Sequence, residues 1–229
     1  MLSNPEQIRL IMELRRQNIL DTKILSAFEK VPRELFVPEA FYEQTYENLP
    51  IPIGFGQIMT PYLVLARMLV HLELNDRSKV LEIGTGTGYG TALLARLARR
   101  VYTIEIYKEL IDKAKSAFDQ LEAHTISFRQ GNGSKGWKEQ APFDRIIVNA
   151  FHTEIPEMLL EQLNEGGILL MPVGSKTYDQ KLIKVRCYRK CTSNFDPDNY
   201  SAEEILPIGL MKLVLNDKEI LPKNNNLIC

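Results

Sequence analysis

From residue 79 onward, short apolar runs alternate with longer stretches in which apolar residues return every three or four positions. The runs at 79–83, 100–105, 125–130, 144–149 and 167–173 read as buried strands, and 89–99, 107–120 and 155–163 carry the helical spacing. This alternation predicts an α/β fold: a doubly wound, mostly parallel sheet with helices on both faces. A further strand is expected over 179–189, where Leu182, Ile183, Val185 and Cys187 favour extended backbone, and a short extended piece over 205–209. Residues 192–201 read as a polar loop, and the tail from Asn216 as frayed.

Ahead of the alternating region the pattern is helical. Asn4-Pro5-Glu6-Gln7 combines a cap, a proline in the first turn and Gln three residues after the cap, predicting a helix to about residue 17. Asp21 caps a second helix over 22–30, ended by Val31-Pro32, and Pro38 opens a third that reaches Tyr46. Residues 49–61 hold prolines at 50, 52 and 61 and glycines at 54 and 56, so they read as a shaped loop, neither helix nor strand. Thr60 then serves as the cap of a helix over 61–71. The expected organisation is an N-terminal helical portion with a loop (1–60), an α/β core (61–190) and a C-terminal β extension (191–229), folded as one compact domain.

The most informative stretch is Val80-Leu81-Glu82-Ile83-Gly84-Thr85-Gly86-Thr87-Gly88-Tyr89, a strand running through a glycine-rich turn into a helix. Side chains at 84, 86 or 88 would keep a ligand from lying against the backbone. The next helix points its unpaired N–H groups and positive dipole end at whatever rests there. A dinucleotide fingerprint would place its third glycine where Tyr89 stands. The spacing is instead acidic-x-G-x-G-x-G, similar to the first motif of class I S-adenosylmethionine-dependent methyltransferases. Glu105 closes the next strand about 20 residues on, where a ribose-binding carboxylate belongs in such a unit. Loops 84–88, 131–133 and 149–152 and Glu105 all emerge at carboxyl ends of strands, so topology directs them to one site.

Composition narrows the field. With 229 residues, 45% of them hydrophobic, the chain can bury one sizeable core. A net charge of −1 supplies no basic field for nucleic acid or anionic membrane, so neither is an expected partner. Cys187, Cys191 and Cys229 lack the spacing of a zinc site and read as free thiols in a reducing cytoplasm; no metal is expected. Charges at Glu6, Arg9, Glu13, Arg15 and Arg16 argue against a signal peptide, and no apolar run approaches the ~20 residues of a membrane span.

Read in order, Val31 to Pro38, Gly54-Phe55-Gly56-Gln57, Leu81 to Tyr89, Val101 to Glu105, Gly131 to Trp137, Phe143 to Val148 and Gly166 to Gly174 resemble the protein-L-isoaspartate O-methyltransferases. The resemblance covers nearly all of 20–212. It implies methylation, with S-adenosylmethionine, of the free α-carboxylate of isoaspartyl residues in damaged proteins or peptides; the ester then cyclises to a succinimide that reopens partly to normal aspartate. A monomer is expected. The resemblance further implies cofactor contacts from Glu82, Gly84, Thr85, Gly86, Gly88, Glu105, Asn132 and Gly133, and substrate contacts from Gly54, Gly56, Gln57 and Ile208. Thr60 takes the place of a family serine at the active site.

Three stretches depart from the family pattern. Gln57 to Pro61 is about one residue short, Asn132 stands where the family has an aspartate facing adenine, and Phe151-His152 are bulky where small residues are usual. These leave room for two other readings: a carboxyl methyltransferase acting on a dedicated peptide or small molecule, and a cofactor-binding module without catalysis. A carboxylate acceptor, with a pKa near ~4, is ionised at neutral pH and requires no general base.

Overall fold

The computed structural model describes residues 5–176, 179–189 and 196–214. One of its helices begins at a side-chain cap that the sequence supplies; the expected Asn4 cap lies outside the described residues. α1 (Pro5–Arg16) buries Leu10 and Leu14. α2 (Thr22–Lys30) starts at Asp21, whose carboxylate accepts from the Lys23 and Ile24 N–H groups. The helix expected from Pro38 shrinks to a 3₁₀ segment, Glu39–Gln44, broken by non-helical backbone at Phe41.

The stretch read as an irregular loop is a β-hairpin of β1 (Ile51–Gly54) and β2 (Gln57–Met59). Its turn, Gly54-Phe55-Gly56, lies wholly at positive φ (97°, 55° and 65°). Pro52 is tolerated because a two-stranded ribbon leaves one edge of each strand unpaired. α3 (Tyr62–Leu72) follows with Pro61 at its N-cap and no side-chain cap, so Thr60 does not fill the capping role expected of it.

The main sheet holds β3 (Lys79–Ile83), β4 (Arg100–Glu105), β5 (Ile126–Gln130), β6 (Phe143–Val148), β7 (Leu163–Val173), β8 (Gln180–Cys187) and β9 (Tyr200–Ile208). Their order across it is β5-β4-β3-β6-β7-β8-β9. The first five run parallel and the last two antiparallel. The chain moves outward from β3 through β4 to β5, then returns to the other side of β3 as β6, which opens a crevice beyond the ends of β3 and β6.

Alternation along the strands serves the two faces. Val80, Val101, Ile147, Ile168 and Leu182 join a core with α1–α3, α4 (Tyr89–Leu97) and α5 (Lys108–Gln120). Leu81, Ile104, Ile146, Leu169 and Val185 face a smaller core closed by α6 (Glu157–Leu160) and Leu213. Two element boundaries move. The helix expected over 155–163 keeps one turn, because β7 starts at Leu163 and takes the Gly166-Gly167 turn inside itself as an irregularity in its pairing with β6. Residues 196–201 are not loop: Pro197–Asn199 is 3₁₀ and β9 begins at Tyr200. Cys191, Cys229, residues 192–195 and the tail from Asn216 lie outside the described residues.

Candidate active site

The glycine turn leaves β3 with Gly84, Gly86 and Gly88 at φ 90°, 55° and 100°, the left-handed region that side chains disfavour. At Gly88 the reason for glycine differs from the expected clearance for a ligand. A Cβ there would lie 2.6 Å from Phe118 Cζ and 3.0 Å from Ala114 Cβ, so this glycine lets α5 pack against the turn. Gly88 is also the N-cap of α4 and offers no side-chain cap, which leaves the helix's first N–H groups without an intrahelical partner.

Glu105 ends β4 and grips the turn. Its Oε2 accepts from Gly86 N (2.8 Å) and its Oε1 from Ile106 N (2.8 Å) and Tyr107 N (3.1 Å). Burial pushes its carboxyl pKa up, and the three backbone donors oppose that rise.

Glu82 sits one layer further in, with none of its surface exposed. Its Oε2 accepts from Thr91 Oγ1 (2.5 Å) and Thr103 Oγ1 (2.7 Å), and its Oε1 from Asn149 Nδ2 (3.0 Å). With the Thr103 proton committed to Glu82, the 2.6 Å contact between Thr85 and Thr103 must be donated by Thr85. The result is a closed polar chain behind the turn. Burial dominates its titration and raises the carboxyl to about 7, against the pull of the three donors.

A cleft partly open to solvent lies over this turn. The turn from Gly84 to Gly88, Glu105, Gly131 and Gly133 form one wall. The other carries Gln57 to Thr60 of the hairpin. Thr60 lines the cleft, and no hydrogen bond ties its hydroxyl to the protein among the described residues, so the hydroxyl is available to a ligand.

Among the residues singled out from sequence, Thr60, Gly84, Thr85, Gly86, Gly88, Glu105, Gly133 and Gln57 are brought together at this cleft. Five are not. Glu82 stands behind it. Asn132 turns its Oδ1 to Ser134 N (2.9 Å) and Ser134 Oγ (2.8 Å), capping a 3₁₀ turn. Gly54 and Gly56 shape the hairpin turn away from the lining, and Ile208 is buried in the core opposite Gln180.

The C-terminal wall is made by Lys212, Leu213 and Val214 instead, which the sequence did not mark. Phe151 explains how they arrive. Its N–H donates to Met211 O (2.9 Å) and its carbonyl accepts from Leu213 N (2.8 Å), clamping this segment beside the end of β6. Phe151 is buried and neither it nor His152 lines the cleft, so their bulk does not narrow it. His152 packs locally, Nδ1 lying 3.1 Å from Glu154 O. The other missed residue is Asn149, directly after β6; it lines the cleft and leaves Oδ1 buried without a partner, as does Thr87 with its Oγ1. A glycine-walled cleft with unpaired donors at a helix start, a buried carboxylate and two orphaned polar atoms fits a ligand with both apolar and zwitterionic parts, as S-adenosylmethionine has.

Comparison with known proteins agrees. The model of the family described as protein-L-isoaspartate(D-aspartate) O-methyltransferase matches residues 5–197. The protein-L-isoaspartate O-methyltransferase of Rhodospirillum rubrum is 46% identical over 209 residues, covering 91% of this chain and 92% of its own. That of Yersinia pestis is 50% identical over 184 residues, 80% of this chain and 88% of its own. A solved protein-L-isoaspartate O-methyltransferase shares the fold at TM-score 0.79 and 24% identity, over 92% of this chain and 66% of that one. A putative one from Plasmodium falciparum, in complex with S-adenosyl-L-homocysteine, does so at 0.75 and 21%, over 93% of this chain and all of that one. The chain belongs to the protein-L-isoaspartate(D-aspartate) O-methyltransferase family.

Proposed function

We propose that this chain is an S-adenosylmethionine-dependent enzyme that esterifies the free α-carboxylate of isoaspartyl residues in damaged proteins and peptides. The observation that carries the reading is the placement of Thr60. Thr60, directly after the hairpin, lines the same cleft as the glycine turn and Glu105 of a methyltransferase fold.

Bound S-adenosylmethionine supplies an activated methyl group on a sulfonium. The chain's own task is then orientation and exclusion of water, an effect worth roughly 7–11 kcal/mol when two reactants are held in line. Gly84 and Gly86 would let the cofactor approach the backbone, and Glu105, fixed by three N–H groups, would present its carboxylate to the ribose hydroxyls. Gly133 lets the floor pass close beneath, since a Cβ there would fall 2.1 Å from Ile83 Cγ2. The Thr60 hydroxyl donates to one oxygen of the acceptor carboxylate and leaves the other to attack. The apolar lining from Ile53, Ile58, Met59 and Leu65 would favour a transfer that neutralises an anionic acceptor and a cationic methyl donor together. No residue need take a proton from an acceptor that is already ionised.

We also infer action as a monomer in the cytoplasm, without nucleic acid or membrane. The near-zero net charge supports the absence of nucleic-acid and anionic-membrane partners, and among the described residues no helix is long and apolar enough to cross a membrane. The shortened 57–61 stretch favours one other reading, a different carboxylate acceptor. Methyl transfer from labelled S-adenosylmethionine to a short isoaspartyl peptide, with its aspartyl twin as control, separates the two. Labelling confined to the isoaspartyl peptide supports repair. No labelling, with S-adenosylhomocysteine still binding in calorimetry, refutes the repair assignment.

A further inference from the structure

One charge at the cleft has no counter-charge. Lys212 is the sole cation among the described residues that line it, and Glu105 the sole carboxylate. The Glu105 oxygens are committed to three backbone N–H groups. No carboxylate lies within ion-pair distance of the Lys212 ammonium among the described residues. The fold fixes this lysine with hydrogen bonds made elsewhere. Gln180, 2% exposed, donates from Nε2 to Leu210 O (2.8 Å) and accepts at Oε1 from Leu210 N (2.7 Å). Phe151 holds the two residues that flank Lys212, through Met211 O and Leu213 N. At this parallel bridge the backbone is extended, so the side chains of Lys212 and Leu213 leave on opposite faces. Leu213 enters the smaller core, and Lys212 is exposed.

An acceptor that arrives as an anion suits an unpaired cation, but its carboxylates are not equivalent. The reacting carboxylate becomes an uncharged ester, so an ion pair to it would be lost in the transfer and would slow that step. A carboxylate elsewhere on the acceptor keeps its charge throughout, and a pair to it strengthens binding of acceptor and transition state alike. We propose that Lys212 is a specificity-determining residue that favours isoaspartyl acceptors carrying an acidic side chain next to the isoaspartyl residue. Thr60 meets the carboxylate that reacts, and Lys212 the one that does not. Solvent screening keeps such an exposed pair modest, at about 1.5- to 5-fold in an equilibrium. The inference rests on the isoaspartyl acceptor proposed above.

The test is steady-state methyl transfer from labelled S-adenosylmethionine to three isoaspartyl peptides of one sequence. The first has glutamine on both sides of the isoaspartyl residue, the second has glutamate in place of the preceding glutamine, and the third has glutamate in place of the following one. For wild type, at least one glutamate peptide is expected to show a KM about 2- to 5-fold below that of the glutamine peptide, with kcat within about twofold. That gap is expected to close as salt rises to about 0.5 M. Lys212→Met is expected to abolish the preference, Lys212→Glu to reverse it and Lys212→Arg to retain it. In all three variants the melting temperature is expected to hold and the affinity for S-adenosylhomocysteine to stay within about twofold of wild type. A disturbed wall would instead raise KM for all three peptides together. Equal KM values in wild type, or a preference that survives in Lys212→Met, would overturn the assignment while leaving the isoaspartyl reading intact. Turnover of none of the three peptides by wild type would overturn that reading and this one with it.

Discussion

Replacing Glu82 with Gln removes a fully buried carboxyl whose titration falls near neutral pH. Its ordinary pKa is 4.5, and burial in the folded chain raises it to about 7. The folded protein then holds this proton more tightly than the unfolded one. The resulting stabilisation is full below pH 4.5 and is lost as the pH climbs through 7. At about 1.4 kcal/mol per pH unit, the gap corresponds to about 3 kcal/mol. Gln cannot titrate, yet its amide can still accept from Asn149 and donate to the hydroxyls of Thr91 and Thr103, so the geometry behind the turn survives. The assay is denaturant unfolding of both proteins from pH 4.5 to 8.5. Wild type is expected to lose about 3 kcal/mol relative to Glu82→Gln across that range, or roughly 6–12 °C in melting temperature for a chain of this length. Linkages shared by both proteins, such as those of Glu73 and Asp179, cancel in the difference. A difference that stays flat with pH would refute the reasoning, because it would mean that the carboxyl titrates alike in both states. A difference that grows in favour of wild type would mean that the hydrogen bonds outweigh burial.

Three further substitutions probe the site. Gly88→Ala sets a Cβ 2.6 Å from Phe118 Cζ at φ 100° and is expected to cost about 2–4 kcal/mol in unfolding experiments, with Phe118→Leu in the same chain recovering part of it. Glu105→Gln turns an amide N–H toward a backbone N–H that now donates to it; about 1–3 kcal/mol of stability and a clear loss of S-adenosylhomocysteine affinity are expected, and unchanged affinity would remove Glu105 from the ribose site. Thr60→Val is expected to lower kcat for an isoaspartyl peptide by at least about tenfold with little change in melting temperature, since the hydroxyl has no hydrogen-bond partner among the described residues; an unaltered kcat would leave Thr60 as lining only.

What could be read in the sequence was what contiguous residues determine. Val80 to Tyr89 encode strand, turn and helix within ten positions, and Glu105 follows at a spacing set by one helix and one strand. The hairpin was missed because its prolines and glycines signal irregular backbone, whereas Ile51 and Met59 face each other only once the positive-φ turn has closed. Glu82 was misjudged by one layer. Its position in the motif says that it belongs near the turn, but only Thr91, Thr103 and Asn149 together reveal that it is fully enclosed. Asn132 carries a similar lesson, because a local partner, Ser134, claims the oxygen that the spacing alone would give to a ligand.

The two walls of the cleft differ in how they are specified, and that difference bears on what can change. The cofactor wall comes from short-range units, each made by a strand and the turn after it. The facing wall draws on the hairpin at 51–59 and the segment at 212–214, which are far apart in sequence and meet only through the fold. Phe151 is the joint: two backbone hydrogen bonds hold Met211 and Leu213 against the end of β6, so Lys212 reaches the cleft whatever its own side chain prefers. Backbone pairing of this kind leaves the side chain of Lys212 free to vary without unseating the wall, while Leu213 is also held by burial in the smaller core. Phe151, which looked like an obstruction, is thus what secures the outer wall; two of the three departures from the family pattern, at 57–61 and 151–152, fall on the side that meets the acceptor or supports that wall, and the third, Asn132, falls beside the cofactor turn.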